Sequence, residues 1–258
     1  MGRLRSRAPS VTTRLRELLA WWLLPAPCLA CDGLQDTLDR ALGLCPGCRG
    51  ALRRVRGPRC RWCLRALPPG GAAGIDACGA CLLRRPPHER LLAGWSYEPP
   101  FDAVVRALKF GRQLHLGRPI GRRLARELAP GWPAVECIVP VPLHWRRRLA
   151  RGYNQSAEIA AGIADETGLP LRPLLRRRKA TRRQARLPFE ERAANVRGAF
   201  RIRVRTPLPA GRYLLVDDVV TTGGTLEQAS AALRAAGATS VLCVAAARTP
   251  HTARPKPE

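Results

Sequence analysis

The sequence predicts an α/β fold, a mostly parallel sheet flanked by helices, preceded by a small metal-binding module of four-cysteine sites. Two observations carry this prediction. After residue 88, short apolar runs rich in Val and Ile alternate with segments of helical spacing. Before it, eight of the ten cysteines form four C-x-x-C pairs. With 258 residues there is room for both parts and at least one sizeable core.

The cysteine pairs are Cys28/Cys31, Cys45/Cys48, Cys60/Cys63 and Cys78/Cys81. Two thiolates on a tight turn bind one face of a metal ion, and a second turn completes a tetrahedron. In chain order the pairs read C-x2-C-x13-C-x2-C and C-x2-C-x14-C-x2-C, so both halves have the spacing of a structural zinc site. Two zinc ions are the expectation. Spacing leaves open whether the pairs combine in order or interleave, first with third and second with fourth. A disulfide framework is the competing reading, and tandem C-x-x-C knuckles suit a reducing compartment instead. Cys137 and Cys243 stand alone in apolar segments and read as core residues.

The first 24 residues have a basic beginning and an apolar end, which loosely suits a secretory signal. Leu15, Leu18, Leu19 and Trp22 recur at helical spacing between charged residues, so the segment reads instead as an amphipathic helix. Its uninterrupted apolar run, Leu18 to Leu24, is too short to span a bilayer, and no longer run follows. A cytoplasmic location without a transmembrane segment is expected. The organisation is then an amphipathic segment at 1–24, a double four-cysteine domain at 25–85, an α/β domain at 88–250 and a tail at 251–258. Pro86 and Pro87 mark the linker.

Within the α/β part, "FDAVVRALKFG", "GRPIGRRLARELA", "NQSAEIAAGIADETG" and "LEQASAALRAAG" have helical spacing. The runs "VECIVPVP", "LPLRPLL", "GAFRIRV", "RYLLVDD" and "SVLCVAAA" read as strands. Open sheets of this kind bind ligands at the carboxyl ends of their strands. There the stretch "YLLVDDVVTTGGTLEQ" places two acids, Asp217 and Asp218, directly after a buried strand expected to run from Tyr213 to Val216. The loop Thr221-Thr222-Gly223-Gly224-Thr225 follows and turns into a helix, so backbone amides and the helix N-terminus form an anion cradle. The glycines allow close approach and the threonines add hydroxyl donors. Two carboxylates beside a phosphate cradle suit a sugar phosphate, with the acids accepting hydrogen bonds from ribose hydroxyls or holding Mg2+.

The string "LLVDDVVTTGGT" resembles the phosphoribosyl pyrophosphate motif of type I phosphoribosyltransferases. Together with "LKF", "IVPVPLHWRRRLARGYNQS", "RRQARLPFEERAANVRGAF" and the C-x-x-C pairs, it makes residues 25 to 250 similar to the ComF family, also called competence protein F. That resemblance implies a double zinc ribbon followed by a type I phosphoribosyltransferase fold. It gives Asp217 and Asp218 the ribose hydroxyls and the metal, and Thr221, Thr222, Gly223, Gly224 and Thr225 the 5-phosphate. Arg146, Arg147, Arg148 and Arg151 occupy the place of the pyrophosphate loop. The basic stretch Arg176 to Arg186, including Lys179, Arg182, Arg183 and Gln184, lies where the superfamily keeps a mobile loop that closes over the pyrophosphate. No residue is assigned to the acceptor.

The chain carries 45 Lys and Arg against 19 Asp and Glu, a formal net charge of +26. Such a surface attracts polyanions without identifying one, and an Arg-rich proteome gives the same excess on solvated faces. Two functions follow. One is a Mg2+-dependent phosphoribosyltransferase acting on phosphoribosyl pyrophosphate or a related sugar phosphate. The other is a non-catalytic adaptor that binds single-stranded DNA or a competence-system protein, with Trp62 and Trp145 as stacking candidates.

Overall fold

The computed structural model describes residues 26–35, 41–68, 76–177, 198–203 and 207–250. The amphipathic segment at 1–24, the tail at 251–258 and Lys179, Arg182, Arg183 and Gln184 of the basic loop lie outside the described residues.

The main sheet has four parallel strands in the order β1-β6-β5-β2. They are β1 (Arg90–Ser96), β2 (Cys137–Pro140), β5 (Arg212–Val220) and β6 (Ser240–Arg248). β3 (Leu175–Arg177) and β4 (Phe200–Ile202) form a separate antiparallel pair. Each central strand is apolar on both faces, as a parallel sheet covered by helices requires. On β5, Leu214 and Val216 pack into one core while Tyr213 and Leu215 pack into the other. Cys137 and Cys243 are buried core residues, as expected. The run "LPLRPLL" is not one strand: its start makes a single parallel bridge, Leu171 to Ile138, and only Leu175 opens β3. Its two prolines lack the amide that a ladder needs.

Among the described residues the α-helices are α1 (Pro46–Gly50), α2 (Gly79–Leu83), α3 (Phe101–Phe110), α4 (Gly117–Leu128), α5 (Trp145–Arg151), α6 (Gln155–Thr167) and α7 (Gly224–Ala235). α4 and α6 touch backbone to backbone. A Cβ on Gly121 would stand 2.0 Å from the Ile159 carbonyl oxygen, and one on Gly162 would stand 2.0 Å from that of Arg118. This contact fixes α6 against α4 and so helps to set where its N-terminal Ser156 lies.

The cysteine-rich region folds onto the sheet. Cys28, Leu42 and Leu44 share a core with Trp95, Leu116 and Leu124, while Leu64 packs with Leu91 and Ala93 in the other. Residues 53–55 run along β1, with Ser96 N–H donating to Arg53 O at 2.8 Å and Arg54 over the Trp95 ring at 4.6 Å. That strap covers part of an otherwise open sheet edge.

Candidate functional site

β5 continues through Val220, so the two acids sit inside the strand and not after it. β6 supports this extension, pairing Asp217 with Ala245 and Val220 with Arg248. β2 does not: its pairing with β5 ends at Pro140 and Val216. The acids therefore occupy the first positions where β5 has lost one neighbour, and a cleft of about 180 Å³ opens there. Both residues are buried, Asp217 at 9% exposure and Asp218 at 8%.

The Ser156 hydroxyl and the Asp218 amide each donate to Asp217 Oδ1 at 2.9 Å. Oδ1 of Asp218 accepts from the Val219 amide at 2.5 Å and lies 3.0 Å from the Lys109 ammonium at the end of α3. Burial, and after it the neighbouring Asp218 charge, push the Asp217 carboxyl up to about 7. A buried carboxyl beside a second acid favours a cation in the cleft, which would relieve both the burial and the neighbouring charge.

The loop after β5 reaches α7 through Gly223, whose φ of +83° lies in the left-handed region. This turn starts α7 at Gly224, whose first amides have no partner within the helix. Thr221 and Thr225 line the cleft beside the acids, and Thr222, Gly223 and Gly224 complete the turn between them. Opposite stands α5, capped at its N-terminus by His144, whose Nδ1 accepts from the Arg146 amide at 3.3 Å. Arg147 and Arg151, one turn apart, face the cleft. Arg146 instead lies 5.3 Å from the Trp145 ring, and Arg148 does not line the cleft.

Two polar lining residues, Lys109 and Ser156, carry no role from the sequence, and Arg177, from the start of the basic stretch at 176–186, lines the cleft as well. Burial, then the nearby Arg147, pull the Arg177 guanidinium down to about 10, while Asp217 opposes the shift. The cleft thus sets four cationic side chains, Lys109, Arg147, Arg151 and Arg177, around two carboxyls and a turn of threonines. Trp62 packs within its own cysteine module at 8% exposure, whereas Trp145 is 57% exposed.

The eight paired cysteines gather in chain order as Cys28/Cys31/Cys45/Cys48 and Cys60/Cys63/Cys78/Cys81, which excludes interleaving. Within each group the sulfurs lie within 4.8 Å of one another, with Cys31 and Cys45 at 3.7 Å and Cys63 and Cys78 at 3.6 Å. A tetrahedron with metal–sulfur bonds of about 2.3 Å has edges of roughly 3.8 Å, so both groups fit zinc. All these cysteines are free thiols, far beyond disulfide bonding distance.

The sequence model of the phosphoribosyl transferase domain matches residues 115–258. DNA utilization protein YhgH of Salmonella typhi is 33% identical over 205 residues, covering 77% of this chain and 87% of that relative. Competence protein F of Haemophilus influenzae is 30% identical over 209 residues, covering 75% and 91%. The chain belongs to the competence protein F family. A solved glutamine phosphoribosylpyrophosphate amidotransferase of B. subtilis is 26% identical, with a TM-score of 0.34, covering 50% of this chain and 25% of that one. Within the family, a phosphoribosyl transferase domain joined to two four-cysteine groups describes this chain.

Proposed function

We propose that the cleft binds phosphoribosyl pyrophosphate with Mg2+ and that the protein transfers the phosphoribosyl group to an acceptor. The observation that carries this reading is the grouping of two buried acids, a threonine-lined turn at a helix N-terminus and four cations in one small cleft. The turn at Thr221–Thr225 holds the 5-phosphate. Asp217 and Asp218 take the ribose hydroxyls, with Ser156 holding Asp217 in place. Arg147 and Arg151, with Lys109 and Arg177, hold the pyrophosphate; Lys179, Arg182 and Arg183 extend that grip. Bound beside the two carboxylates, Mg2+ would neutralise part of the phosphate charge.

In the reaction the acceptor's electron pair forms a bond to C1 of the ribose while the C1–O bond to pyrophosphate breaks, and pyrophosphate leaves with that bonding pair. The residues therefore need to align the sugar and stabilise the negative charge gathering on the departing oxygen. Arg147 and Arg151 suit that role because a guanidinium grips two phosphate oxygens at once. Zinc in the two cysteine groups is structural in this reading.

Calorimetric titration with phosphoribosyl pyrophosphate and Mg2+, run beside Asp217→Ala/Asp218→Ala, tests the proposal. Binding that disappears in the variant supports it, and no binding by the intact protein refutes it. A second reading follows from the exposed Trp145 beside Arg146 and from the names of the relatives, competence protein F and DNA utilization protein. In that reading α5 stacks and neutralises single-stranded DNA, and Trp145→Ala with Arg146→Ala weakens it.

A further inference from the structure

Arg248 closes β6 at 6% exposure, and among the described residues its side chain donates hydrogen bonds to backbone carbonyls alone. Its Nε donates to Cys63 O at 3.2 Å. Its Nη1 donates to Thr221 O, to Val220 O at 3.4 Å and to Thr249 O at 2.8 Å. One guanidinium thus joins the backbone of a cysteine in the second metal group to the backbone of the first phosphate-loop threonine. A buried charge is costly unless its hydrogen bonds are kept, so neither end moves without disturbing the other.

Further contacts brace the same junction. His88, buried at 3% exposure, pairs its Nε2 with Trp62 O at 2.8 Å, fixing the turn between Cys60 and Cys63. Arg84, three residues past Cys81, reaches Glu227 in the first turn of α7 at 2.5 Å. The first cysteine group packs elsewhere, with Cys28 in the core that holds Leu116 and Leu124.

We infer that Arg248 is a positioning residue that couples the second four-cysteine metal site to the phosphate loop, so that metal held at Cys60, Cys63, Cys78 and Cys81 keeps Thr221–Thr225 in its phosphate-accepting shape. The inference rests on the phosphate-loop reading for its consequence in binding, but the coupling itself is testable in the ligand-free protein. Linkage makes it reciprocal: a phosphate ligand that orders the loop also retains zinc at the second site and not at the first.

The test is hydrogen exchange on the zinc-loaded full chain without ligand, following the amides of Val220 to Leu226, with zinc content measured in parallel. Arg248→Met is expected to keep both zinc ions and the slow exchange of the β6 centre while speeding exchange in the loop on the order of tenfold. Arg248→Lys restores part of the protection. Cys60→Ser, which empties the second site, matches Arg248→Met in the loop, and Cys31→Ser, at the first site, does not. Unchanged loop exchange in a zinc-replete Arg248→Met protein overturns the coupling, even where Cys60→Ser fails to fold. Release of zinc to a chromogenic chelator, with and without phosphoribosyl pyrophosphate and Mg2+, reads the reciprocal effect. One of two release phases slows in the intact protein, and Arg248→Met loses that slowing. Equal release in both conditions by a protein that binds the ligand also overturns it. Failure to bind the ligand refutes the proposed function alone, because the exchange result still decides the coupling.

Discussion

The Lys109 ammonium lies 3.0 Å from Oδ1 of Asp218, where it stands in the position of a counter-ion to the acidic pair. A divalent cation bound to these acids and a pyrophosphate bound beside them make opposite demands on that lysine. The cation competes with it for the carboxylate, while the phosphate gains from its charge. Lys109→Met is therefore expected to tighten bare Mn2+ binding, read by electron paramagnetic resonance, and to weaken pyrophosphate binding about tenfold, read by calorimetry. A change of both affinities in the same direction would show that Lys109 does not mediate between the two.

Asp217 supplies a pH dependence. Its carboxyl has a pKa near 4 in an unfolded chain and is pushed up to about 7 in the fold, chiefly by burial. The folded protein then holds more protons than the unfolded chain between those values. The stability this contributes is complete below about pH 4 and is lost as pH rises through about 7. Ligand-free protein should lose urea stability across that window, and Asp217→Asn should flatten the curve. Binding of Mg2+ needs the carboxylate, so its affinity should rise over the same interval and be weak and flat in the variant.

Gly223 separates conformational from steric demands. Its φ is +83°, yet a Cβ there would meet nothing within 4 Å. Gly223→Ala should cost about 1–2 kcal/mol through backbone strain alone. Gly168, which ends α6 with a φ of +70° and the same open space, provides the control. Thermal melts should show similar losses for both alanine variants, while only Gly223→Ala loses affinity for inorganic phosphate.

The parts of the site that were legible in the sequence are those whose chemistry is contiguous in the chain. Asp217, Asp218 and the threonine turn fall within nine residues, Asp217 to Thr225, and each cysteine knuckle spans four. Lys109 and Ser156 reach the acids from two separate helices, and a single Ser inside an amphipathic helix carries no mark of the Asp that it will meet. Arg248 was hidden for a related reason, since a terminal Arg on an apolar strand reads as the exposed end of that strand. The acids' place inside β5 was also not visible locally. β6 carries the ladder through Asp217 to Val220 while β2 stops at Pro140, a property of the neighbours and not of the segment. The basic run on α5 was legible as charge, but which arginines face the cleft depends on the helix phase, which brings Arg147 and Arg151 inward.

The closeness of α4 and α6 makes Gly162 a test of how the scaffold holds the site. In a solvent-facing helix interior, Gly→Ala stabilises by about 1 kcal/mol through lower chain entropy and better helix propensity. Here the added Cβ would stand 2.0 Å from the Arg118 carbonyl oxygen, which is backbone and has no rotamer to change. The helices must separate, and the sign reverses: Gly162→Ala is expected to destabilise by roughly 3 kcal/mol, read as a lower urea midpoint at unchanged slope. Because Ser156 rides on α6 and holds Asp217 at 2.9 Å, the same variant should also weaken Mg2+-dependent ligand binding at temperatures where it remains folded. A stable variant with full affinity would mean that the two helices slide apart without moving Ser156, and that the hydroxyl is positioned by β5 instead of by α4.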